Sequence, residues 1–333
     1  MRILTHADVV RLLSVSDCIA VMEQTFRALG AGQAEQPLRT GMTVRERGLF
    51  LSMPAAIHHS GAFGLKAIAV LPENDGTVWE SHQGVVVLFG PGHQALAAIV
   101  DGPSLTSIRT AAVSGLATRL LAREDAGDLA ILGTGVEARS HLEAMAAVRT
   151  IRRVRVWSRS AERREAYAVW ARGVVPVPVE LAPNAEVAMR DADLVCLVTS
   201  ATSPVIDGGW LTAGAHINAV GAHRPDTRET DTDTVVRARL FVDSRSSALA
   251  EAGDLMIPIA EGRITTDHIA GDLSDLVTGR VVGRQHPDDI TLFKSLGLAV
   301  EDIAAAHAVW QRAETTNAGQ VVEMGGIRTG FAE

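Results

Sequence analysis

Lys66 is the residue of this chain best suited to move a proton. It interrupts an otherwise apolar run, Phe63-Gly64-Leu65-Lys66-Ala67-Ile68-Ala69-Val70, and it is one of only two lysines among 31 basic residues. Arginine serves wherever a generic cation will do, so a lysine here calls for a reason. A compact amine can be desolvated, change its pKa and carry protons; a guanidinium stays charged. The other reading is a lysine that guards a strand edge against aggregation, and the sequence leaves both open. Arg39, after Pro37, and Arg109, in Thr106-Ser107-Ile108-Arg109-Thr110, carry forks that match a carboxylate. Neither stands out among so many arginines. Lys294, after Leu292-Phe293, reads as an ordinary residue near a helix start.

A second kind of chemistry is written at Gly133-Thr134-Gly135-Val136-Glu137-Ala138. The apolar run Leu129–Leu132 leads in, and a helix-like stretch, 139–148, leads out. Strand, glycine turn and helix in that order make a dinucleotide site: Gly133 for the tight turn, Gly135 for close approach of a pyrophosphate, Ala138 for close helix–strand contact. A ribose-binding acid belongs about 20 residues on, at the end of the second strand. That strand ends Val156-Trp157-Ser158-Arg159-Ser160, a hydroxyl and a guanidinium without a carboxylate. Arginine can bind a 2′-phosphate in bidentate fashion, so NADP(H) is expected over NAD(H), which stays possible. Arg159 as a solvated residue in the first turn of the next helix is the plainer alternative.

These residues need elements to hold them. Val10–Leu29 has helical spacing and stops at Gly30 and Gly32. Pro37–Val100 reads as an antiparallel sheet, its short apolar runs separated by Gly, Pro, Asn and Asp. Ser107–Leu121 reads as a long helix capped by Ser104 or Thr106. From Asp128 onward strands (Asp128–Leu132, Val154–Trp157, Leu194–Val198, His216–Val220, Leu240–Val242) alternate with helices, which predicts a doubly wound parallel sheet of the Rossmann type. Asp289–Ala306 reads as one or two helices with Asp288-Asp289 as the cap, and the glycine-rich tail begins at Gly319.

Composition limits the partners. Thirty-one basic and 39 acidic residues give a formal net charge of −8, which argues against a nucleic-acid surface or an anionic membrane as main partner. No apolar stretch reaches the ~18 residues needed to span a bilayer. Cys18 and Cys196 make no CxxC pair or disulfide framework, and no signal peptide opens the chain, so a cytoplasmic protein is expected. The eleven histidines show no metal-ligand spacing, and no metal is expected.

Taken in order, these segments resemble the ornithine cyclodeaminase/mu-crystallin family nearly end to end. The match runs through Pro37–Arg39, Met53-Pro54, Gly64-Leu65-Lys66, Ser81-His82-Gln83, Asp101-Gly102, Arg109–Ala112 and the glycine turn. It continues through Thr199-Ser200, Asn218–Gly221, Val242–Arg245, Glu251–Asp254 and Ile290–Ser295. The resemblance implies a homodimer in which residues 1–122 with 308–333 form a mixed α+β substrate and dimerisation domain, and 123–307 the dinucleotide domain. It implies that Arg39, Lys66 and Arg109, with Met53, hold an imino or amino acid by its carboxylate, and that Lys66 also transfers a proton. It places Ser81, Arg109, Thr110, Gly133, Gly135, Val136, Glu137, Ser158, Arg159, Thr199, Val220, Gly221, Ser295 and Leu296 around the cofactor.

Two departures sharpen this. Where the cyclodeaminases carry an Asp after the pair matching Gly221-Ala222, this chain has His223; where they carry a Glu two residues before Met-Pro, it has Leu51. Both acids serve amine chemistry on ornithine, and their loss leaves no evident anchor for a second ammonium; the strings Ser81-His82-Gln83, Val156-Trp157-Ser158-Arg159 and Gly221-Ala222-His223-Arg224-Pro225-Asp226 resemble the mu-crystallin branch, which implies NAD(P)H-dependent reduction of a ketimine. His223 reads either as an acid or base near neutral pH or as a loop histidine touching cofactor or solvent. An alanine-dehydrogenase-like enzyme, a cyclodeaminase with bound NAD, and a non-catalytic ligand-binding protein are the other readings.

Overall fold

The computed structural model describes residues 1–44, 48–74, 77–91 and 95–324. In chain order the strands are β1 (Arg2–Leu4), β2 (Ala34–Glu35), β3 (Thr40–Val44), β4 (Gly48–Ile57), β5 (Ala62–Val70), β6 (His82–Phe89), β7 (Leu96–Asp101), β8 (Asp128–Leu132), β9 (Arg153–Trp157), β10 (Val179–Leu181), β11 (Leu194–Leu197), β12 (His216–Ala219), β13 (Arg239–Val242), β14 (Ile269–Asp272), β15 (Thr291–Lys294) and β16 (Gln320–Val321). They form two sheets in two compact units, one of 1–14, 31–106 and 298–333, the other of 15–30 and 107–297.

The first unit carries a mixed sheet of order β16-β1-β7-β6-β5-β4-β2, with β3 also on β4. Only β1 and β7 run parallel. The helix Ala299–Thr316 packs on one face of β4 to β7. Alternation along each strand sends Met53, Ile68, Val86 and Val100 to that covered face, where they are buried.

The second unit carries an all-parallel sheet of order β10-β9-β8-β11-β12-β15-β13-β14. Its strands are short and their central residues mostly apolar, as a sheet covered on both faces favours, with polar and charged residues chiefly toward their ends. Leu132, Leu197, Ile217, Leu240 and Leu292 lie in one core. The chain leaves β8 for β9 on one side and returns to β11 on the other, so the switch point lies between β8 and β11. Ligands of such sheets bind in the crevice past the carboxyl ends of the strands at that point.

Several expectations change. Val10–Leu29 is two helices, His6–Leu12 and Val15–Gly30, because Leu13 turns extended and closes the first on Val9. The long helix starts earlier, at Gly102; Asp101 Oδ1 accepts the Ser104 N–H at 3.0 Å, so Ser104 and Thr106 lie inside it. Unit boundaries also differ from 122 and 307. Val15–Gly30 belongs with the second unit, where Ile19 packs on Gly115 and Glu23 pairs with Arg119, and the first unit resumes at Leu298. Asp289–Ala306 begins as strand β15, and the helix starts only at Ala299. Asp289 therefore caps no helix; its Oδ2 accepts the N–H groups of Gln285 and His286. Of the tail, β16 pairs with β1, and 325–333 lie outside the described residues.

Two histidines buried in the second unit tie stability to pH. Burial pushes His141 down to about 4, with Nδ1 donating to the Glu137 carbonyl and Nε2 accepting from Ser114 Oγ at 2.9 Å. Burial, then the nearby Arg284 charge, pushes His216 down to about 3. Both stay neutral in the fold while the unfolded chain takes up protons below the ordinary histidine value near 6.5. Stability is therefore full above about pH 6.5 and is lost as pH falls toward 4 and 3. Each pH unit below 6.5 removes about 1.4 kcal/mol per histidine until the folded form also takes the proton. Thermal unfolding from pH 7 to pH 4 should show a falling Tm, with a shallower fall in His141→Gln.

Candidate active site

The glycine turn sits at the switch point. Gly133 has φ +123, and a Cβ there would collide with the Val198 carbonyl oxygen, so only glycine lets β8 and β11 run side by side into the turn. Gly135 is the N-cap of the helix Val136–Val148 and makes no side-chain cap bond. A Cβ on it would meet no atom within 4 Å. The first-turn N–H groups thus face open space at the positive end of a 13-residue helix, a cradle that fits a pyrophosphate. Glu137 stands in that first turn and Ala138 is fully buried against the sheet.

Past β9, Ser158 Oγ lies 3.3 Å from Thr134 Oγ1 and links this strand end to the turn. Ser160, not Arg159, caps the next helix by accepting from Arg163 N. Arg159 thus stands exposed at the strand end, just ahead of that helix, a position open both to a phosphate and to solvent. Thr199, Val220, Gly221, Ser295 and Leu296 likewise follow the carboxyl ends of β11, β12 and β15. Arg109 and Thr110 lie buried on the helix Gly102–Leu121. The Arg109 guanidinium packs over the bare Cα of Gly297, and Asp243 holds that turn by accepting the N–H groups of Leu296 and Gly297.

In the first unit, Lys66 is 2% exposed and its Nζ stands 3.2 Å from Asp302 Oδ1 on the covering helix. β5 is paired on both sides, by β4 and β6, so Lys66 guards no edge. Met53 is its direct cross-strand partner. Met53 and Lys66 are therefore direct neighbours across β4 and β5, and Arg39 immediately precedes β3, the strand paired with β4, in which Thr40 faces Ser52. Leu51 lies on the same face as Met53 and fills the space over Gly41. Ser81 is half-buried, its Oγ 3.0 Å from His82 Nδ1.

The family model of the ornithine cyclodeaminase/mu-crystallin family matches residues 1–317. This chain belongs to that family. Ketimine reductase mu-crystallin of Mus musculus is 39% identical over 280 residues, 84% of this chain and 85% of that protein. The structure of Thermococcus litoralis Delta(1)-pyrroline-2-carboxylate reductase, in complex with NADH and L-proline, gives a TM-score of 0.94 at 35% identity, covering 97% of this chain and 100% of that one. An archaeal alanine dehydrogenase dimer with bound NAD gives 0.91 at 28% identity, covering 97% and 99%. Among the described residues, no helix is long and apolar enough to cross a membrane and no group of three or more His, Cys, Asp or Glu could hold a metal ion.

For this family member, sequence reasoning passed over four acids and one base. Asp302 answers Lys66 from 236 residues away. Lys294 is not near a helix start: it ends β15, is 1% exposed, and pairs with Asp254 at 2.9 Å. Glu229 and Asp243 complete the set. One signal was available, since Lys294 shares the scarcity that singled out Lys66. His223 is half-buried, its Nδ1 3.2 Å from the Gly221 carbonyl; a carbonyl only accepts, so Nδ1 carries the proton.

Proposed function

We propose that this chain is a nicotinamide-dependent imino-acid reductase that adds hydride to a C=N carbon beside a carboxylate. The observation that carries the reading is the buried Lys66–Asp302 pair on an otherwise apolar face, with Met53 directly across the strand from Lys66. The cofactor, when bound, supplies the hydride, and the residues at the strand ends of the second unit would hold it. Arg39, Lys66 and Arg109 are each proposed as a cation for the substrate carboxylate, as the family resemblance implies. Lys66 delivers the proton that the imine nitrogen needs as its carbon is reduced, and Asp302 fixes the ammonium in place. His223 is proposed as a further acid or base. The relatives' reactions, reduction of a ketimine and of a cyclic imine related to proline, support this substrate class.

A panel of cyclic and linear imino acids tests the reading by NADPH and NADH absorbance, with ornithine as the control. Leu51 and His223 replace the two acids that serve ornithine's amines in the cyclodeaminases, and an ammonium left unpaired in a closed site is costly. Oxidation of cofactor with imines and no ammonia from ornithine is expected. Ammonia and proline from ornithine would return the cyclodeaminase reading.

NADPH is the proposed partner, through Ser158 and Arg159. One bidentate phosphate contact contributes ~1.5–3 kcal/mol, about tenfold to a hundredfold. Titration should show NADPH preferred to NADH, with the gap narrowed in Arg159→Ala; equal affinities in the unmodified protein would refute it.

A homodimer is proposed through the outward face of the first sheet. Phe50, Pro54, Leu65, Ala67, Val85 and Val87 alternate with the residues under the helix and are exposed or half-exposed, an unusual patch for a monomer. Light scattering should give twice the chain mass, and Val85→Asp should shift it toward the monomer.

A further inference from the structure

The second unit holds a buried charged cluster at the carboxyl ends of β11, β12 and β15. Glu229 is fully buried. Its Oε1 accepts the N–H and the hydroxyl of Thr199, both at 2.7 Å, and its Oε2 accepts the Gly221 N–H at 2.6 Å. Asp254 Oδ1 accepts Glu229 N at 2.8 Å, Thr230 N at 2.9 Å and Thr230 Oγ1 at 2.8 Å. Lys294 Nζ lies 2.9 Å from Asp254 Oδ2 and donates to the Ala222 carbonyl. The segment Gly221-Ala222-His223 is thus gripped twice, by an acceptor at its first N–H and a donor at its second carbonyl.

The cluster also has a sign. Two carboxylates face one ammonium. Burial pushes the Glu229 carboxyl up, Lys294 pulls it back, and Asp254 adds to the rise. Burial also acts on Asp254, but Lys294 and the Thr230 donors outweigh it and hold that carboxyl below the usual range. Backbone N–H groups can only donate, and one points at each Glu229 oxygen, an arrangement that fits the ionised form.

The position gives this charge a use. The pyrophosphate cradle is at the switch point and the 2′-phosphate candidates are past β9, so the other half of a dinucleotide falls to the strands on the far side, β11, β12 and β15. That half is the nicotinamide. We propose that Glu229, Asp254 and Lys294 form a net-negative platform for it, which favours the cationic oxidised ring over the neutral reduced one. A reduced nicotinamide held there would supply hydride, with its two electrons, to the imine carbon and would itself become cationic. A fixed buried carboxylate facing that change lowers its cost without moving. The inference rests on the cofactor reading above and makes Glu229 a positioning residue with an electrostatic role.

The test is the ratio of dissociation constants for NADPH and NADP+, measured by calorimetry or protein fluorescence at pH 8 without substrate. Glu229→Gln should weaken NADP+ roughly tenfold more than NADPH. Glu229→Asp keeps the charge and should leave the ratio near that of the unmodified protein, even if both forms bind less well. A role in shape alone would weaken both forms alike, and an unchanged ratio in Glu229→Gln overturns the proposal. Should Glu229→Gln fail to fold, the unmodified protein decides: NADP+ is expected to bind at least as tightly as NADPH, and a clear preference for NADPH overturns the platform. Binding of both forms with the wrong ratio defeats this inference alone. Binding of no nicotinamide cofactor defeats the cofactor reading and this inference with it.

Discussion

Lys66→Arg is expected to fold, to keep its pairing with Asp302, and to reduce an imino acid at least ~100-fold more slowly than the unmodified protein. Arginine preserves the charge but not the compact, deprotonatable amine. Lys66→Met should lose turnover as well, but for a mixed reason. Asp302 is fully buried, and removing its ammonium strands a carboxylate, a cost of about 3–5 kcal/mol. Its Tm should fall. The double variant Lys66→Met with Asp302→Asn removes the stranded charge, so stability should partly return while turnover does not. Steady-state NADPH oxidation and thermal unfolding of the three variants separate chemistry from packing. Near-normal rates in Lys66→Arg would demote Lys66 to a clamp for the carboxylate.

Gly297→Ala should raise the KM for the imino acid about tenfold to a hundredfold. Gly297 has φ +80, which strains any L side chain, and its Cβ would stand 2.5 Å from one guanidinium nitrogen of Arg109. Arg109 is 4% exposed and has little room to retreat. The Asp243 carboxylate, which pins the neighbouring N–H groups, keeps the turn from yielding instead. The loss is that of a charged hydrogen bond to the substrate, about 1.5–3 kcal/mol. Initial rates against imino-acid concentration would show it, and an unchanged KM would remove Arg109 from substrate binding. Arg109→Lys should not behave as wild type, because a point charge cannot replace the fork.

What the chain determined alone is what local physics specifies. A strand buried on both faces is mostly apolar, so β8 is legible in Asp128–Leu132 to the residue. A turn this tight between strand and helix needs glycine, so the turn at Gly133 and Gly135 is legible too. Scarcity marked Lys66, since a residue used twice in 333 is not filling space.

Tertiary structure decided the rest. Ile290-Thr291-Leu292-Phe293 is a short, mostly apolar run, and periodicity cannot tell such a run in a helix from one in a buried strand. Only the gap between β12 and β13 makes it β15. That same placement turned Lys294 from an unremarkable residue into the ammonium between Asp254 and the Ala222 carbonyl. Nothing near Lys66 in sequence announces Asp302, because a helix at the far end of the chain folds back over β5. Residue type and spacing can show which groups are capable of chemistry. Which carboxylate answers which ammonium is set by burial, since a charge withdrawn from water needs a partner and the fold alone chooses it.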